Sequence, residues 1–234
     1  MSGDASIAIL DRDHELAELS SPIDLDRLVP GRGPWEVELG FGKGRYLIGR
    51  AEAEPARRFL GVEIAAKYFR VARRRASRRR LANFLLIRGE ALYLLTTALP
   101  RGFASVLHVY FPDPWPKARH QKRRLFDPES VDLLLAALEP SGRLCFATDF
   151  TEYGELVAAI LRSHPSLEVS ELSGPWPGGA RTNYEAKYMA EGRPIVRLEA
   201  RRRPAKTGLV HPAGRLGLTA ALAPRLDPDE VRAG

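Results

Sequence analysis

Trp35-Glu36-Val37-Glu38-Leu39-Gly40-Phe41-Gly42-Lys43-Gly44 decides the fold. Trp35 to Leu39 reads as a strand. Three glycines at alternate positions then close it, and residues 45–54 read as a helix. Glycine permits the tight turn and lets backbone approach a ligand closely. A strand running through such a turn into a helix is the opening unit of a parallel α/β sheet.

The same alternation continues outward. Strands are predicted at 59–64, 84–88, 105–111, 142–148, 167–172 and 194–200, with helices at 65–80, 90–98, 127–138 and 151–163. Asp127 followed by Pro128 reads as an N-cap with proline at the first helical position. Seven strands interleaved with helices predict an α/β domain, a Rossmann-like and mostly parallel seven-stranded sheet flanked by helices. Residues 34–203 form that domain. Residues 1–33 read as a partly flexible arm with a short helix near 7–19. Residues 204–234 show no sustained period and read as a flexible tail. In such a sheet, ligands lie beyond the carboxyl ends of the strands. The residues just after each strand are therefore the candidates for function.

Composition narrows the class of partner. The 234 residues carry a formal charge of +7, and the excess is clustered. Residues 70–80 hold seven arginines, and further basic groups fall at 117–124 and 201–206. Three clusters in one small domain point to a polyanion, with nucleic acid first. The lone cysteine, Cys145, lies in the apolar run Leu144–Ala147 and reads as a buried hydrophobe, with no internal disulfide possible. No metal-ligand spacing, membrane span or basic-apolar leader is legible, and the expected location is the cytoplasm. A monomer and a homodimer are equally compatible with the chain.

Glu38 ends the first strand beside the loop glycines Gly40, Gly42 and Gly44. Glu63 ends the second, where a carboxylate suits ribose hydroxyls. Arg45 stands where the dinucleotide fingerprint needs its third glycine. Glu38 opposes a pyrophosphate and suits a cationic amino-acid group, so S-adenosylmethionine leads NAD as the cofactor. Glu90 ends the third strand; it is either an acceptor for an adenine amine or an acid at a helix N-terminus. After the fourth strand comes Phe111-Pro112-Asp113-Pro114-Trp115-Pro116-Lys117-Ala118-Arg119-His120-Gln121-Lys122-Arg123-Arg124. Its three prolines exclude helix and central strand and make a stiff mount for Asp113. Trp115 either stacks on a base or packs the loop. Asp149 ends the fifth strand, as a ligand group or as a helix cap. Arg181-Thr182-Asn183-Tyr184-Glu185 follows a Gly/Pro-rich stretch and reads as a substrate lid or as a capping-box helix start.

Taken together, E-x-G-F-G-x-G, G-V-E, F-P-D-P-W-x-K-x-R-H-x-K-R-R, A-T-D and T-x-x-E-x-K resemble the bacterial tRNA (guanine-N7)-methyltransferase family over about residues 35–200. The resemblance implies a class I methyltransferase using S-adenosylmethionine. It also implies a tRNA partner, with methylation of the variable-loop guanosine at tRNA position 46. It places Glu38, Glu63, Glu90 and Asp113 on the cofactor and makes Asp113 catalytic. It places Lys117, Asp149, Thr182, Asn183, Tyr184 and Glu185 on the substrate. Position 90 departs from the family, whose usual residue there is Asp or Asn. An NAD-dependent oxidoreductase and an RNA-binding protein with a degenerate site are the alternatives.

Overall fold

The computed structural model describes residues 8–10 and 22–204. The chain runs β1 (Ala8–Leu10), α1 (Leu25–Leu28), β2 (Trp35–Leu39), α2 (Arg45–Ala53), β3 (Arg58–Glu63), α3 (Ala66–Arg78), β4 (Phe84–Arg88) and α4 (Ala91–Thr97). It continues through β5 (Ala104–Tyr110), a 3-10 helix (Ala118–Arg123), α5 (Pro128–Ala137), β6 (Leu138–Thr148), α6 (Thr151–Ser163), β7 (Leu167–Glu171), α7 (Asn183–Ala190) and β8 (Val196–Arg202). The strands form one sheet in the order β1-β4-β3-β2-β5-β6-β8-β7. β8 runs antiparallel to both β6 and β7, and the other pairings are parallel.

The order reverses between β2 and β5. The chain winds from β2 to β4 on one side and starts again at β5 on the other. Connections then leave the two strand ends in opposite directions and open a crevice between them. Alternation along β2 sets what lies beneath. Trp35, Val37 and Leu39 face the larger core with α4, α5 and α6, while Glu36 and Glu38 face the opposite side. There α2 and α3 pack through Leu47, Ile48, Phe69 and Ala72. Gly44 makes this contact possible, since a Cβ there would sit 2.9 Å from Ile48 Cδ1 and 3.0 Å from Ala72 Cβ.

Two expectations change. The sheet has eight strands, because Ala8–Leu10 is a strand and not part of a helix. Its backbone pairs with the free edge of β4, Ala8 opposite Leu85, and a three-residue strand takes its identity from that edge. The rest of the predicted 7–19 helix and the tail from 205 onward lie outside the described residues. Within the arm, Ile23, Leu25 and Val29 are buried, and the Ile23 N–H donates to the Ala98 carbonyl. Cys145 is buried, as its apolar neighbours imply.

Candidate active site

The glycine loop takes its shape from backbone demands. Gly40, Gly42 and Gly44 all have positive φ, at 76°, 54° and 68°. A Cβ at Gly40 or Gly42 would meet nothing within 4 Å, so both border open space. Glu63 holds the loop from below: one oxygen accepts from Gly42 N–H and the other from Ala65 N–H, both at 2.8 Å. Burial still raises its pKa, with the charge of Asp113 adding to the effect.

Glu38 is nearly buried, and burial lifts its carboxyl to about 8 against the hydrogen bond from Leu47 N–H. Its Oε2 has no hydrogen-bond partner. Neighbouring Glu36 behaves differently. Burial pushes it up, but hydrogen bonds from His108 and Arg50 outweigh this and bring it to about 2. Arg50 lies 2.7 Å and Arg57 3.1 Å from the Glu36 carboxylate. One strand thus carries a paired carboxylate that serves the fold and, two residues on, one with an unused oxygen at the crevice.

Asp113 stands on a strained support. Phe111 and Trp115 both have positive φ, 53° and 40°, which bulky side chains rarely adopt. Arg124 holds the loop in that shape, donating to the carbonyls of Pro114 (2.7 Å) and Trp115 (3.4 Å) and covering the Tyr153 ring. Arg124 is therefore committed to structure. Trp115 packs within the loop, with the His120 ring edge-on at 5.6 Å and the Arg123 guanidinium 5.1 Å from its centroid. Asp113 is exposed, as is Lys117 at the start of the 3-10 helix.

α7 lies over this crevice. Thr182 caps it by accepting from Glu185 N–H, and Asn183 accepts from Arg45 of α2 at 3.2 Å. Tyr184 is 52% exposed, contacts the Phe111 ring and hydrogen-bonds Tyr68. Only half of the predicted capping box forms. The Glu185 carboxylate is fully buried, accepting from Arg181 N–H and pairing with Arg197 at 2.7 Å. The crevice thus gathers Glu38, Glu63, Asp113, the three glycines and the start of α7. Glu90 sits at the neighbouring strand end and caps α4, accepting from Leu92 and Tyr93 N–H, which is the helix-terminus alternative of the sequence reading. Asp149 does not cap α6; it pairs with Arg193 at 3.3 Å, and Phe150 is the cap residue.

Sequence reasoning missed a buried polar chain beside Glu38. Arg181 donates to the Tyr110 hydroxyl, which lies 2.8 Å from His108 Nδ1, and His108 Nε2 lies 3.4 Å from Glu36. Burial lowers the His108 pKa to about 4, so the ring is neutral at neutral pH. The network then assigns the proton to Nε2, facing Glu36, with Nδ1 accepting from Tyr110.

The chain matches the family described as "Putative methyltransferase" over residues 32–198. The tRNA (guanine-N(7)-)-methyltransferase of Nitrosococcus oceani is 34% identical over 183 residues, covering 78% of each chain. That of Leifsonia xyli subsp. xyli is 38% identical, covering 76% of this chain and 74% of its own. The chain belongs to the tRNA (guanine-N7)-methyltransferase family. An aminoglycoside resistance methyltransferase of known structure, 17% identical, superposes with a TM-score of 0.54 over 76% of this chain and 92% of its own, which shows the fold alone. The protein is thus an S-adenosylmethionine-dependent methyltransferase with a Rossmann-like sheet. Among the described residues, no helix is long and apolar enough to cross a membrane, and no group of three His, Cys, Asp or Glu is placed to hold a metal.

The crevice of this methyltransferase fits its cofactor. Glycines with open space beside them can cradle it, Glu63 suits the ribose, and the unpartnered Glu38 oxygen suits a cationic group. A pH consequence follows. Between the usual carboxyl value of 4.5 and about 8, folded Glu38 holds a proton that the unfolded chain releases. Its contribution to stability is present below 4.5 and is lost as pH rises through about 8. A cationic ligand group favours the ionised form. Binding of S-adenosylhomocysteine, whose amino acid keeps its ammonium, is therefore expected to release a proton near pH 7. Titration calorimetry in buffers of different ionisation enthalpy measures this, and a buffer-independent heat would contradict it.

Proposed function

We propose that this methyltransferase transfers the methyl group of S-adenosylmethionine to N7 of the variable-loop guanosine at tRNA position 46. The observation that carries the reading is Asp113, exposed on a rigidly held loop at the topological switch point. Its charge reaches Glu63 on the cofactor side and Tyr184 on the lid side. The cofactor supplies an electrophilic methyl group on a sulfonium. Guanine N7 carries a lone pair and no proton, so the protein has no need of a general base. Its task is alignment, together with stabilising the positive charge that arrives on the guanine ring. Asp113 suits both. Of the two carboxylates that could read the guanine imino and amino groups, Asp149 keeps an accessible face while Glu185 is consumed by Arg197. Asp149 is the candidate. In this reading Lys117, Asn183 and Tyr184 border the base, Thr182 and Glu185 shape the lid, and Glu90 meets the cofactor through the α4 terminus that it caps. The enzyme works with its tRNA in the cytoplasm.

The basic helix α3 supports an RNA partner. Arg75 is tied to the Lys43 carbonyl and Arg79 to Glu52, but Arg70, Arg73, Arg74 and Arg78 are exposed with no ion pair among the described residues. α3 contains no acid, so its like charges at i, i+3 and i+4 repel one another. Replacing these four with Gln is expected to weaken tRNA binding and to flatten its dependence on salt by up to about 3 in log–log slope. An unchanged slope would make α3 a solvated face only.

The activity test is incubation with S-adenosylmethionine and an unmodified tRNA transcript, followed by nucleoside analysis. The expected product is 7-methylguanosine; a guanosine methylated elsewhere, or none, would contradict the reading.

A further inference from the structure

Arg181 is a cation without a carboxylate. Its guanidinium lies 3.9 Å from the Trp176 ring centroid, 5.2 Å from Tyr46 and 5.6 Å from Tyr110. It donates to the Tyr110 hydroxyl and the Cys145 sulfur. None of the ion pairs among the described residues includes it. An arginine drawn this far into an aromatic cage normally acquires an acid, because desolvating the charge alone is costly. Two further groups nearby are also incomplete. Trp176 is 2% exposed, and its indole N–H has no acceptor. Glu38 is 2% exposed, its Oε2 has no donor, and it feels the Arg181 charge.

These deficits are complementary. On the β5 side a cation lacks a carboxylate and an indole N–H lacks an acceptor; on the β2 side a carboxylate oxygen lacks a donor. β2 and β5 are adjacent, with Glu38 opposite His108 and Tyr110 ending β5. A ligand carrying an ammonium and a carboxylate on one carbon supplies both missing halves. We propose that Arg181 and the Trp176 N–H receive the carboxylate of the cofactor's amino-acid end while Glu38 receives its ammonium. Arg181 is then a cofactor-binding residue, and the chain through Tyr110 and His108 to Glu36 anchors it. The proposal rests on the S-adenosylmethionine reading of the crevice. It also gives the Gly/Pro stretch before α7 a role, since Trp176 and Arg181 flank Gly178 and Gly179, whose φ values of 86° and 87° let the chain double back.

Calorimetric affinities for three ligands test it without turnover. S-Adenosylhomocysteine carries the whole zwitterion, decarboxylated S-adenosylmethionine keeps the ammonium and adds a sulfonium but has no carboxylate, and 5′-methylthioadenosine lacks both ends of the zwitterion. Arg181→Gln is expected to weaken S-adenosylhomocysteine binding about ten- to a hundredfold, the range for a lost charge-assisted hydrogen bond, and to leave the other two within about threefold. Trp176→Phe keeps an aromatic face and removes the N–H, and is expected to cause a smaller loss confined to the same ligand. Equal losses across all three ligands, or no loss for S-adenosylhomocysteine, would overturn the proposal. If Arg181→Gln does not fold, Trp176→Phe decides in the same way: a loss confined to S-adenosylhomocysteine supports the proposal, and any other pattern overturns it. Wild-type protein that bound none of the three would instead refute the cofactor reading.

Discussion

Asp113→Ala is expected to lower the rate of methyl transfer by at least about 10²–10³-fold while leaving tRNA affinity within a few-fold. Asp113 is exposed between Pro112 and Pro114, so its removal opens no cavity. The loop it leaves behind is held by Arg124 on the carbonyls of Pro114 and Trp115, and by the packing of Trp115 against His120 and Arg123. None of these contacts uses the Asp113 carboxylate. The loss should therefore appear in the chemical step. Asp113→Asn separates the two tasks assigned to the residue, since it keeps an acceptor oxygen and removes the charge. If the charge stabilises the guanine ring as it becomes cationic, Asn should lose nearly as much as Ala. If acceptor geometry dominates, Asn should recover much of the rate. Single-turnover rates with tRNA affinities measured in parallel distinguish these outcomes. A fall in affinity that matches the fall in rate would remove Asp113 from the chemistry.

Arg197→Leu is expected to destabilise the protein by about 3–5 kcal/mol, a fall in melting temperature of roughly 6–20 °C for a chain of this size. The side chains of Arg197 and Glu185 are 7% and 0% exposed and meet at 2.7 Å. Removing the guanidinium leaves the Glu185 carboxylate buried without its counter-charge. Pairing the change with Glu185→Leu should restore most of the stability, because a buried ion pair is worth little against apolar side chains of similar volume. The two single changes should also loosen α7, whose first turn Glu185 ties to β8 through Arg197 and to the Arg181 backbone. Denaturant unfolding of the two single variants and the double variant measures the coupling. Additive losses would show that the pair carries no special role.

Much of this architecture was legible because its determinants are local. The passage from Trp35–Leu39 through three glycines into α2 needs only neighbouring residues, and β3 to β6 each end in an apolar run closed by Gly, Pro or an acid. β1 was not legible in this way, since Ala8–Leu10 is a strand only by virtue of the β4 edge it meets. The site divides along the same line. Glu38 and Glu63 lie at the carboxyl ends of β2 and β3 and Asp113 just beyond β5, and the parallel strands bring these ends to one rim. The T-x-x-E pattern correctly located a helix start at Thr182, but Glu185 went to Arg197, whose distant position no local pattern reveals. The Arg181, Tyr110, His108 and Glu36 chain was hidden for a related reason. Its members lie on three separate segments: the parallel register of β2 and β5 brings Glu36 near His108, and the stretch before α7 brings Arg181 to Tyr110.

The most direct test of the account incubates the purified methyltransferase with S-adenosylmethionine and an unmodified tRNA transcript, then cleaves the product at 7-methylguanosine with borohydride and aniline. The account predicts one new cut, at the variable-loop guanosine of position 46, absent when that nucleotide is changed to adenosine. A cut at another guanosine, or an uncut tRNA after the protein has been shown to bind both cofactor and tRNA, would contradict it.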